Sequence, residues 1–428
     1  MIDIKQLRED PERFRAGARK KRFPARAEAV DRALQADEGL RALIPEIDRM
    51  RAEQKAAAKA LGRLDPDERA RHLEQQKAAK AELQGLEERE RALRAELRSS
   101  LLLVPSPPDP DVPDGDDDQA SVELRRVGEI PRADFAVRPH HELAEAQGWL
   151  DTQRAGQIAG ARNYYLFGEL AWLQDAALRF AQDHLRQKGY TWADPPVLVR
   201  DVAMIGTAFF PGGEEQTYRC EKDELNLIGT SEVAMTALLE GEILAEEELP
   251  KRFAARSVCF RREAGAAGRD TKGLYRVHQF QKVEQVVIDV ADEARSIEHH
   301  HEILANSEAI LQALELPYRV VNVASGDLGV GQIMKFDVEC WMPSRESFGE
   351  THSASRFYDY QARRLNLRYR SRETKKTVFC HTLNNTALAS PRILIPLLEI
   401  HQQPDGRVRV PEALRPYLDG RETLGKPL

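Results

Sequence analysis

The sequence predicts an α+β protein in which a long antiparallel two-helix arm precedes a domain built on an antiparallel β-sheet flanked by helices. Three observations lead to this prediction. Apolar residues repeat every three and four positions over residues 27–61 and again over 79–97. A Pro- and Asp-rich segment, VPSPPDPDVPDGDDDQ at 104–119, then interrupts the helical pattern. Beyond it, strand-like apolar runs alternate with helical stretches such as LAWLQDAALRFAQDHLRQKG and DEARSIEHHHEILANSEAILQALEL.

The arm is predicted from two heptad seams with alternating spacings of four and three. They run through Ala29, Ala33, Ala36, Leu40, Leu43, Ile47, Met50, Gln54, Ala57 and Leu61, and through Ala79, Leu83, Leu86, Glu90, Leu93 and Leu97. Gly62 is expected to end the first helix, while Asp65 caps the second and Pro66 fills its first position. Helices joined by so short a turn pack antiparallel, and each would be about 50 Å long. From the periodicity alone, a dimerisation coiled coil competes with a binding arm.

Charge is distributed unevenly along the 428 residues, whose net charge is -7. Residues 1–100 hold 24 of the 63 Lys and Arg residues and 20 of the 70 Asp and Glu residues, so this part is net positive. The other 39 basic and 50 acidic residues make the remainder net negative. The net positive charge of the arm is compatible with a nucleic-acid partner, although the chain as a whole is acidic.

Two classes of protein are disfavoured by the composition. The chain has no run of about 18 apolar residues, and its start, MIDIKQLREDPERF, has no signal-peptide core, so we expect no membrane association. The four cysteines, Cys220, Cys259, Cys340 and Cys380, are dispersed and form no C-x-x-C pair. We therefore expect no zinc site and no disulfide framework, which fits a cytoplasmic location.

The stretch FRREAGAAGRDTKGLYRVHQFQKVE, residues 260–284, places charged and aromatic residues at alternate positions. Because strand side chains alternate between faces, Arg261 and Glu263 are expected to share one face of a strand. Phe280, Lys282 and Glu284 are expected to share one face of the returning strand. The Gly-rich segment between them predicts a long hairpin loop. The pattern fits either a charged cleft or a surface ladder of cross-strand ion pairs.

This hairpin resembles motif 2 of the class II aminoacyl-tRNA synthetases, F-R-x-E followed by a loop and R-x-H-Q-F. Upstream, a long helix ending in KGYTWADPPVLV resembles motif 1, with Pro196 as the motif proline. Downstream, FCHTLNNTALASPRILIPLLE resembles motif 3, with Arg392 on its helix. The segments GTSE, KVE, FGETHSAS and YDYQARR, together with the N-terminal arm, narrow the resemblance to the seryl-tRNA synthetase family of bacterial type. The resemblance implies a class II synthetase catalytic domain built on an antiparallel sheet.

The resemblance also implies the reaction. Such an enzyme activates L-serine with ATP to seryl-adenylate and transfers serine to the 3' end of tRNA(Ser), and also of tRNA(Sec). Because serine's carboxylate is itself the nucleophile, catalysis needs no general base and consists of positioning and of neutralising phosphate charge. Arginines and Mg²⁺ carried with ATP would supply that charge. A cytoplasmic homodimer formed through motif 1 is implied as well.

Residue by residue, the family's ATP ligands map onto the three motifs. Arg261 matches the α-phosphate ligand, Glu263 the acceptor for the adenine amino group, and Phe280 the ring that stacks on adenine. Arg392 would lie over the other side of adenine and reach the terminal phosphate together with Arg276. The full implied ATP set is Arg261, Arg262, Glu263, Arg276, Val277, Phe280, Glu350, Thr351, His352, Ser353 and Arg392. Within that set, Arg261, Arg392 and Glu350 are implied to be catalytic, and Glu350 and Ser353 to bind Mg²⁺ through oxygen.

The family's serine ligands map onto Thr230, Ser231, Glu232, Arg261, Glu284 and Thr386. A substrate ammonium calls for carboxylates, and a hydroxyl calls for both a donor and an acceptor. Which of Glu232 and Glu284 serves which group stays open. A site built around a hydroxyl rejects an analogue that lacks it by up to about 10⁴-fold, so alanine and glycine need no proofreading.

Some positions depart from the family pattern. Ser231 replaces an alanine and Thr386 replaces a serine, so both positions of the pocket carry a hydroxyl. His352 stands where many relatives have serine, and its role stays open. Ala266 and Ala267 make the motif 2 loop smaller than is usual. The consecutive histidines at 299–301 are expected to bind no metal, since neighbours on a helix point about 100° apart.

With the resemblance, the chain is predicted to have three regions. Residues 1–104 form a tRNA-binding helical arm whose coiled-coil hairpin spans about 27–104, residues 105–120 form a linker, and residues 121–428 form the catalytic domain. Two other functions are compatible with the sequence: a seryl-type ligase that charges a carrier protein, and a catalytically inactive synthetase paralogue that acts as a binding protein. The basic run that includes Arg363, Arg364 and Arg372 fits a solvated face or a nucleic-acid contact equally well.

Overall fold

The computed structural model describes residues 1–60, 65–265 and 272–428. Within this part, the chain divides into two compact units, Met1–Pro107 and Pro108–Leu428. The expected helix stop at Gly62, the seam residue Leu61 and the small loop residues Ala266 and Ala267 lie outside the described residues. No helix in the described ranges is both long enough and apolar enough to cross a membrane.

The first unit consists of four helices: α1 Ile4–Glu9, α2 Pro11–Lys20, α3 Pro24–Ala60 and α4 Pro66–Leu103. At 1.5 Å per residue, α3 and α4 are each about 55 Å long. Two contacts show that they run antiparallel. Arg51 on α3 donates to Glu87 on α4, and the carbonyl oxygen of Ala57, farther along α3, contacts the imidazole of His72, which lies earlier on α4. Asp65 caps α4 by accepting from the backbone N–H of Glu68, as the sequence predicts.

The predicted heptad seam is the contact between α3 and α4. Leu43, Ile47 and Met50 of α3 pack against Leu83 of α4, and all four are buried. Glu90, at a seam position, is only partly exposed and pairs with Arg94 one turn later. The other faces carry exposed charges. The prediction of a polar two-helix arm is confirmed.

In its described residues, the second unit has eight further α-helices and eighteen strands, besides short 3-10 turns. The helices are α5 His140–Ala146, α6 Thr152–Ala159, α7 Gly168–Gln187, α8 Asp201–Gly206, α9 Glu232–Ala237, α10 Glu293–Ala313, α11 Tyr360–Leu365 and α12 Leu394–Ile400. The strands are β1 Val122–Val127, β2 Leu150–Asp151, β3 Tyr165–Leu166, β4 Thr191–Ala193, β5 Leu198–Val199, β6 Arg219–Cys220, β7 Leu225–Leu227, β8 Ile243–Ala245, β9 Lys251–Phe260, β10 Gln279–Asp289, β11 Tyr318–Asn322, β12 Met334–Met342, β13 Ser347–Tyr358, β14 Arg368–Arg370, β15 Thr377–Phe379, β16 His381–Ser390, β17 Val408–Arg409 and β18 Thr423–Leu424. The described residues thus confirm the α+β prediction.

The centre of this unit is an eight-stranded sheet in the order β1-β11-β12-β13-β16-β10-β9-β4. Its pairs are antiparallel except for the parallel pair β4 and β9 at one edge. Helices α7 and α10 pack on the sheet through apolar residues such as Leu178 and Ile303, which are fully buried. The segment that resembles motif 1 is therefore a long helix followed by an edge strand.

The face of the sheet opposite α10 carries polar groups beside a smaller apolar cluster that includes Val286 and Ile288. Gln285 of β10 and Asn385 of β16 donate to the carbonyl oxygen of Ile303 on α10, at 3.0 and 2.5 Å. Because neighbouring side chains on a strand point to opposite faces, Glu284 and Thr386 point away from α10. These two residues are directly paired across β10 and β16. Regular pairing thus brings the residues of two motifs onto one surface.

The Pro/Asp-rich segment is partly attached to the second unit. The backbone N–H of Asp109 donates to Ile333 O, and the N–H groups of Ser325 and Gly326 donate to the carbonyl oxygens of Pro113 and Gly115, at 2.9 Å in each case. The predicted boundaries of the linker remain a prediction.

Candidate active site

A cleft of about 540 Å³, including its open mouth, lies on the polar face of the eight-stranded sheet. Its walls come from the end of β9, from β10, β13 and β16, and from the segment that leads into α12. The lining residues are Arg261, Glu263, Leu274, Tyr275, Arg276, Val277, Phe280, Lys282, Glu350, Thr351, His352, Thr386, Ala389, Ser390, Pro391 and Arg392. Ten residues predicted to bind ATP or serine are therefore brought to one place.

The hairpin differs from the prediction in one respect. Strand β9 ends at Phe260, so Arg261 and Glu263 lie just beyond it rather than on a strand face. Glu263 has a φ of 52°, in the left-handed region that non-glycine residues seldom adopt. It accepts from Arg276 at 3.4 Å, which ties the outgoing and returning arms of the hairpin together. The expectation of strand alternation at these two positions was wrong because the chain turns here.

The returning strand agrees with the prediction. Phe280, Lys282 and Glu284 lie on β10, and Lys282 pairs with Glu284 at 2.5 Å. Lys282 is 5% exposed and Glu284 1% exposed. A surface ladder of ion pairs needs both partners in water, so that alternative is excluded for this strand.

One end of the cleft is rich in cations that lie on aromatic rings. The Arg261 guanidinium lies 5.1 Å from the centroid of Phe280, and that of Arg392 lies 4.3 Å from the centroid of Tyr275. Arg392 also donates to the carbonyl oxygen of Glu350 at 2.8 Å. A guanidinium stacked on a ring keeps its N–H groups available in the ring plane for oxygen ligands. This end of the cleft is suited to phosphate.

Glu350 faces the cations. Its side chain is 47% exposed and its carboxylate lies 3.7 Å from Arg392. Desolvation by the surrounding cleft opposes ionisation of this half-exposed carboxyl, but the charges of Arg392 and Lys335 hold the pKa of Glu350 below its ordinary value. Two oxygen ligands, Glu350 and Ser353, are too few to hold Mg²⁺ alone, and no larger cluster of metal-ligating side chains occurs in the described ranges. The donor set fits an ion that arrives with a phosphate ligand.

Behind the lining residue Thr386, two buried carboxylates, Glu232 and Glu284, are joined by one amide and do not themselves line the cleft. Asn384 donates to Glu232 at 3.1 Å and to Glu284 at 2.8 Å, and Thr386 donates to Glu284 at 3.4 Å. Burial, and then the charge of Glu284, raise the pKa of Glu232 to about 7. The hydrogen bond that Gln361 donates to Glu232 at 2.8 Å acts in the opposite direction and lowers this pKa. Paired buried carboxylates of this kind suit a small ligand with an ammonium group.

The remaining predicted serine ligands surround Glu232 at the start of α9. The Thr230 hydroxyl accepts from the backbone N–H of Glu232 at 3.1 Å. The Ser231 hydroxyl is buried and has no hydrogen-bond partner within the described residues, and neither has the side-chain oxygen of Asn384. Buried polar atoms without partners are costly, so these atoms mark places where a ligand could bind.

Three predicted ATP ligands have other contacts. Arg262 is exposed and donates to Glu215 O at 3.2 Å, outside the set that lines the cleft. The Ser353 hydroxyl bonds the carboxyl of Asp337. His352 is buried, contacts the Thr351 hydroxyl at 2.8 Å and Ala387 O at 3.1 Å, and burial lowers its pKa to about 4. His352 is therefore a neutral packing residue at the cleft wall.

Sequence reasoning missed Asn384, Gln361 and Tyr275. Gln361 lies in the segment YDYQARR and Asn384 in FCHTLNNTALASPRILIPLLE, but the sequence assigns neither of them a role. Their function depends on three segments meeting in space, which spacing cannot show. Tyr275 had a local signal, an aromatic residue beside the predicted phosphate ligand Arg276.

Three arginines of the basic run bond to other residues of the chain. Arg363 pairs with Asp359 at 2.7 Å, Arg372 contacts Glu247 at 3.2 Å, and Arg364 is buried and donates to Phe210 O at 2.9 Å. These contacts favour the solvated or structural interpretation for the three arginines.

Comparison with known proteins agrees with this geometry. Residues 1–108 match the model of the seryl-tRNA synthetase N-terminal domain, and residues 217–401 match that of the tRNA synthetase class II core domain (G, H, P, S and T). The chain is 46% identical over 428 residues to a serine–tRNA ligase of Deinococcus radiodurans, with both chains fully covered. It is 43% identical over 427 residues to that of Rubrobacter xylanophilus, with 99% of each covered.

Two solved structures resemble the whole chain. The crystal structure of seryl-tRNA synthetase from Pyrococcus horikoshii complexed with ATP has a TM-score of 0.93 at 36% identity, with both chains fully covered. The cytoplasmic serine–tRNA ligase from Naegleria fowleri in complex with AMP has a TM-score of 0.88 at 31% identity, with 99% of each covered. Full-length matches at these identities leave no doubt about membership: the chain belongs to the seryl-tRNA synthetase family.

Proposed function

We propose that this chain is a serine–tRNA ligase that activates L-serine with ATP and transfers serine to the 3' end of tRNA(Ser), and also of tRNA(Sec). The observation that carries the proposal is the polarity of the cleft. Cations on aromatic rings line one part of the cleft, and a buried carboxylate pair lies next to its lining residue Thr386, as ATP and an amino acid require. The two solved relatives described above are both nucleotide complexes.

The first step joins serine's carboxylate oxygen to the α-phosphorus of ATP. The bond from that phosphorus to the bridging oxygen breaks, and pyrophosphate leaves with the electron pair. Arg261 would contact the α-phosphate, and Arg276 and Arg392 the leaving phosphates, so developing charge meets fixed guanidinium groups. Glu263 would accept from the adenine amino group and Phe280 would stack on the ring. Mg²⁺ bound with ATP would neutralise further phosphate charge, and Glu350 and Ser353 would hold it.

Serine would bind with its ammonium group near Glu232 and Glu284 and with its hydroxyl near Thr386. The pocket would reject alanine, because these polar groups would then be left unpaired and buried. In the second step, the 3'-terminal hydroxyl of tRNA attacks the carbonyl carbon of the adenylate and AMP leaves. The two-helix arm, net positive over residues 1–100, would contact tRNA phosphates.

The proposed assembly is a cytoplasmic homodimer. Its interface would be formed by α7 and the edge strand β4, where Trp172 is 55% and Trp192 38% exposed. Large exposed aromatic side chains on one helix and strand are typical of contact surfaces.

Serine-dependent ATP–pyrophosphate exchange, followed by charging of bulk tRNA, tests the proposal. Exchange with serine and serylated tRNA are the expected results. Exchange followed by serylation of a carrier protein instead of tRNA would favour the carrier ligase, although that enzyme would have no use for the arm. The absence of any exchange with serine would favour the inactive paralogue.

A further inference from the structure

The geometry points to His140 as a positioning residue for the ATP end of the cleft. His140 and Glu399 form a latch that fixes the returning end of the motif 2 hairpin, residues 273–276, against the motif 3 helix α12. We call this pair the His140–Glu399 latch. None of the three sequence motifs contains His140, which lies at the start of α5. The inference rests on the proposed function for its kinetic consequence, although the latch itself can be tested without it.

The Glu399 carboxylate is the fixed point of the latch. It is 1% exposed and lies on α12, seven residues after Arg392. Its oxygens accept from the backbone N–H and Nδ1 of His140, at 2.9 and 2.8 Å, and from the backbone N–H and hydroxyl of Ser344, at 2.9 and 2.7 Å. Burial would raise the pKa of Glu399, but these hydrogen bonds hold it below its ordinary value. The carboxylate is therefore ionised and acts only as an acceptor.

The hydrogen bonds define the tautomer of His140. Its Nε2 lies 3.1 Å from the backbone nitrogen of Leu274, which can only donate. Nε2 must therefore be the unprotonated acceptor, and Nδ1 must carry the proton that is donated to Glu399. The imidazole thus links a buried carboxylate on one motif to a buried N–H group on another. Leu274 is fully buried, so water cannot replace this acceptor.

The backbone at residue 273 is adapted to this contact. Gly273 has a φ of 73°, and a Cβ at this position would collide with Nε2 of His140. Only glycine combines that backbone conformation with so close an approach. The hairpin therefore re-enters the cleft directly over the imidazole.

The residue that follows Leu274 in the chain belongs to the phosphate end of the cleft. Tyr275, next to Leu274, lies between two guanidinium groups, with Arg392 and Arg345 each 4.3 Å from its ring centroid. Arg392 also donates to Tyr275 O at 3.2 Å. Ser344, which bonds Glu399, precedes Arg345. A shift of Leu274 would therefore move the ring on which Arg392 rests, together with Arg276.

Two substitutions test the two ring nitrogens of His140 separately. His140→Asn keeps a donor near the Nδ1 position for Glu399 and removes the acceptor for Leu274. His140→Gln places an acceptor near the Nε2 position and removes the donor to Glu399. His141→Asn is the matched control, because His141 is adjacent, with its ring centroid 5.2 Å from that of His140, but takes part in neither hydrogen bond of the latch. The full chain is used throughout.

Hydrogen exchange of the peptide that covers residues 272–280 reads the latch without reference to activity. We expect faster exchange there in His140→Asn, and wild-type exchange in His140→Gln and His141→Asn. In pyrophosphate exchange, His140→Asn should raise the KM for ATP about tenfold or more, since a buried N–H loses its acceptor. His140→Gln should restore most of that loss, and the KM for serine should stay within about twofold in all variants.

A purely structural role predicts a different result. If His140→Asn and His140→Gln lower the melting temperature alike and leave the KM for ATP and the peptide's exchange unchanged, the latch is refuted. Equal increases of the KM values for ATP and serine would also overturn it. A wild-type chain without serine-dependent exchange would contradict the proposed function, while the hydrogen-exchange pattern would still decide the latch.

Discussion

The arm and the sheet-containing unit differ in where their polar side chains lie: those of the arm are exposed, and those at the candidate site are buried. In the arm, charged side chains lie in water, as in the pair formed by Arg51 and Glu87, whose side chains are 53% and 37% exposed. In the second unit, Glu232, Glu284 and Asn384 are buried, and Asn384 donates to both carboxylates. Burying such groups is costly unless they are paired, so they are retained where a small ligand must be recognised. In the proposed function, the exposed charges of the arm bind an extended, charged partner.

This comparison predicts that substitutions in the cleft have large effects on activation. Arg261→Ala should lower the rate of pyrophosphate exchange at least about 10²-fold, the scale of one lost transition-state donor. The measurement is exchange at saturating serine and ATP. Arg262→Ala, at the neighbouring exposed arginine, is the control and should retain most of the rate. Near-normal exchange in Arg261→Ala would remove that residue from the site.

The buried carboxylate pair predicts a pH dependence of serine binding. Because burial and Glu284 raise the pKa of Glu232 to about 7, this carboxyl is protonated below pH 7 and cannot attract an ammonium group. The KM for serine should therefore fall about tenfold between pH 6 and pH 8, while the KM for ATP changes little. In Glu232→Gln the profile should be flat. A wild-type KM for serine that is independent of pH would contradict this account of Glu232.

The hydroxyl contact predicts a smaller change in specificity. Thr386→Val preserves side-chain volume but removes the hydroxyl that donates to Glu284. The preference for serine over alanine, measured as the ratio of kcat/KM values, should narrow about three- to tenfold, the worth of one hydrogen bond. An unchanged ratio would show that the substrate hydroxyl is recognised elsewhere.

The smallest effect is expected in the arm. Removing the exposed pair by Arg51→Ala should leave pyrophosphate exchange unchanged and shift the melting temperature by less than about 2 °C, because exposed ion pairs contribute little. Differential scanning calorimetry and exchange rates measure both quantities. A large loss of exchange in this variant would show that the arm takes part in activation and would break the comparison.

Sequence reasoning succeeded where the signal is local. The heptad spacing of Leu43, Ile47 and Met50 predicts one apolar stripe because a helix repeats every 3.6 residues. Likewise, alternation on β10 placed Phe280 and Glu284 on one face.

It was less successful where the chain departs from regular structure or where distant segments meet. Glu263 turns into the left-handed region just beyond β9, so alternation no longer applies. The bridge from Asn384 to two carboxylates joins three separate segments. The contact of His140 with Glu399 spans 259 residues, and no local pattern encodes it.

The most direct test of the division between the two regions is a chain that starts at residue 105. We expect it to retain serine-dependent pyrophosphate exchange, because the cleft is built entirely from the second unit, and to remain dimeric, because the proposed interface of α7 and β4 also belongs to that unit. Charging of tRNA(Ser), measured in the same preparation, should fall by orders of magnitude. Normal charging by the shortened chain, or a monomer at micromolar concentration, would contradict the assignment of RNA binding to the arm and of dimerisation to the second unit.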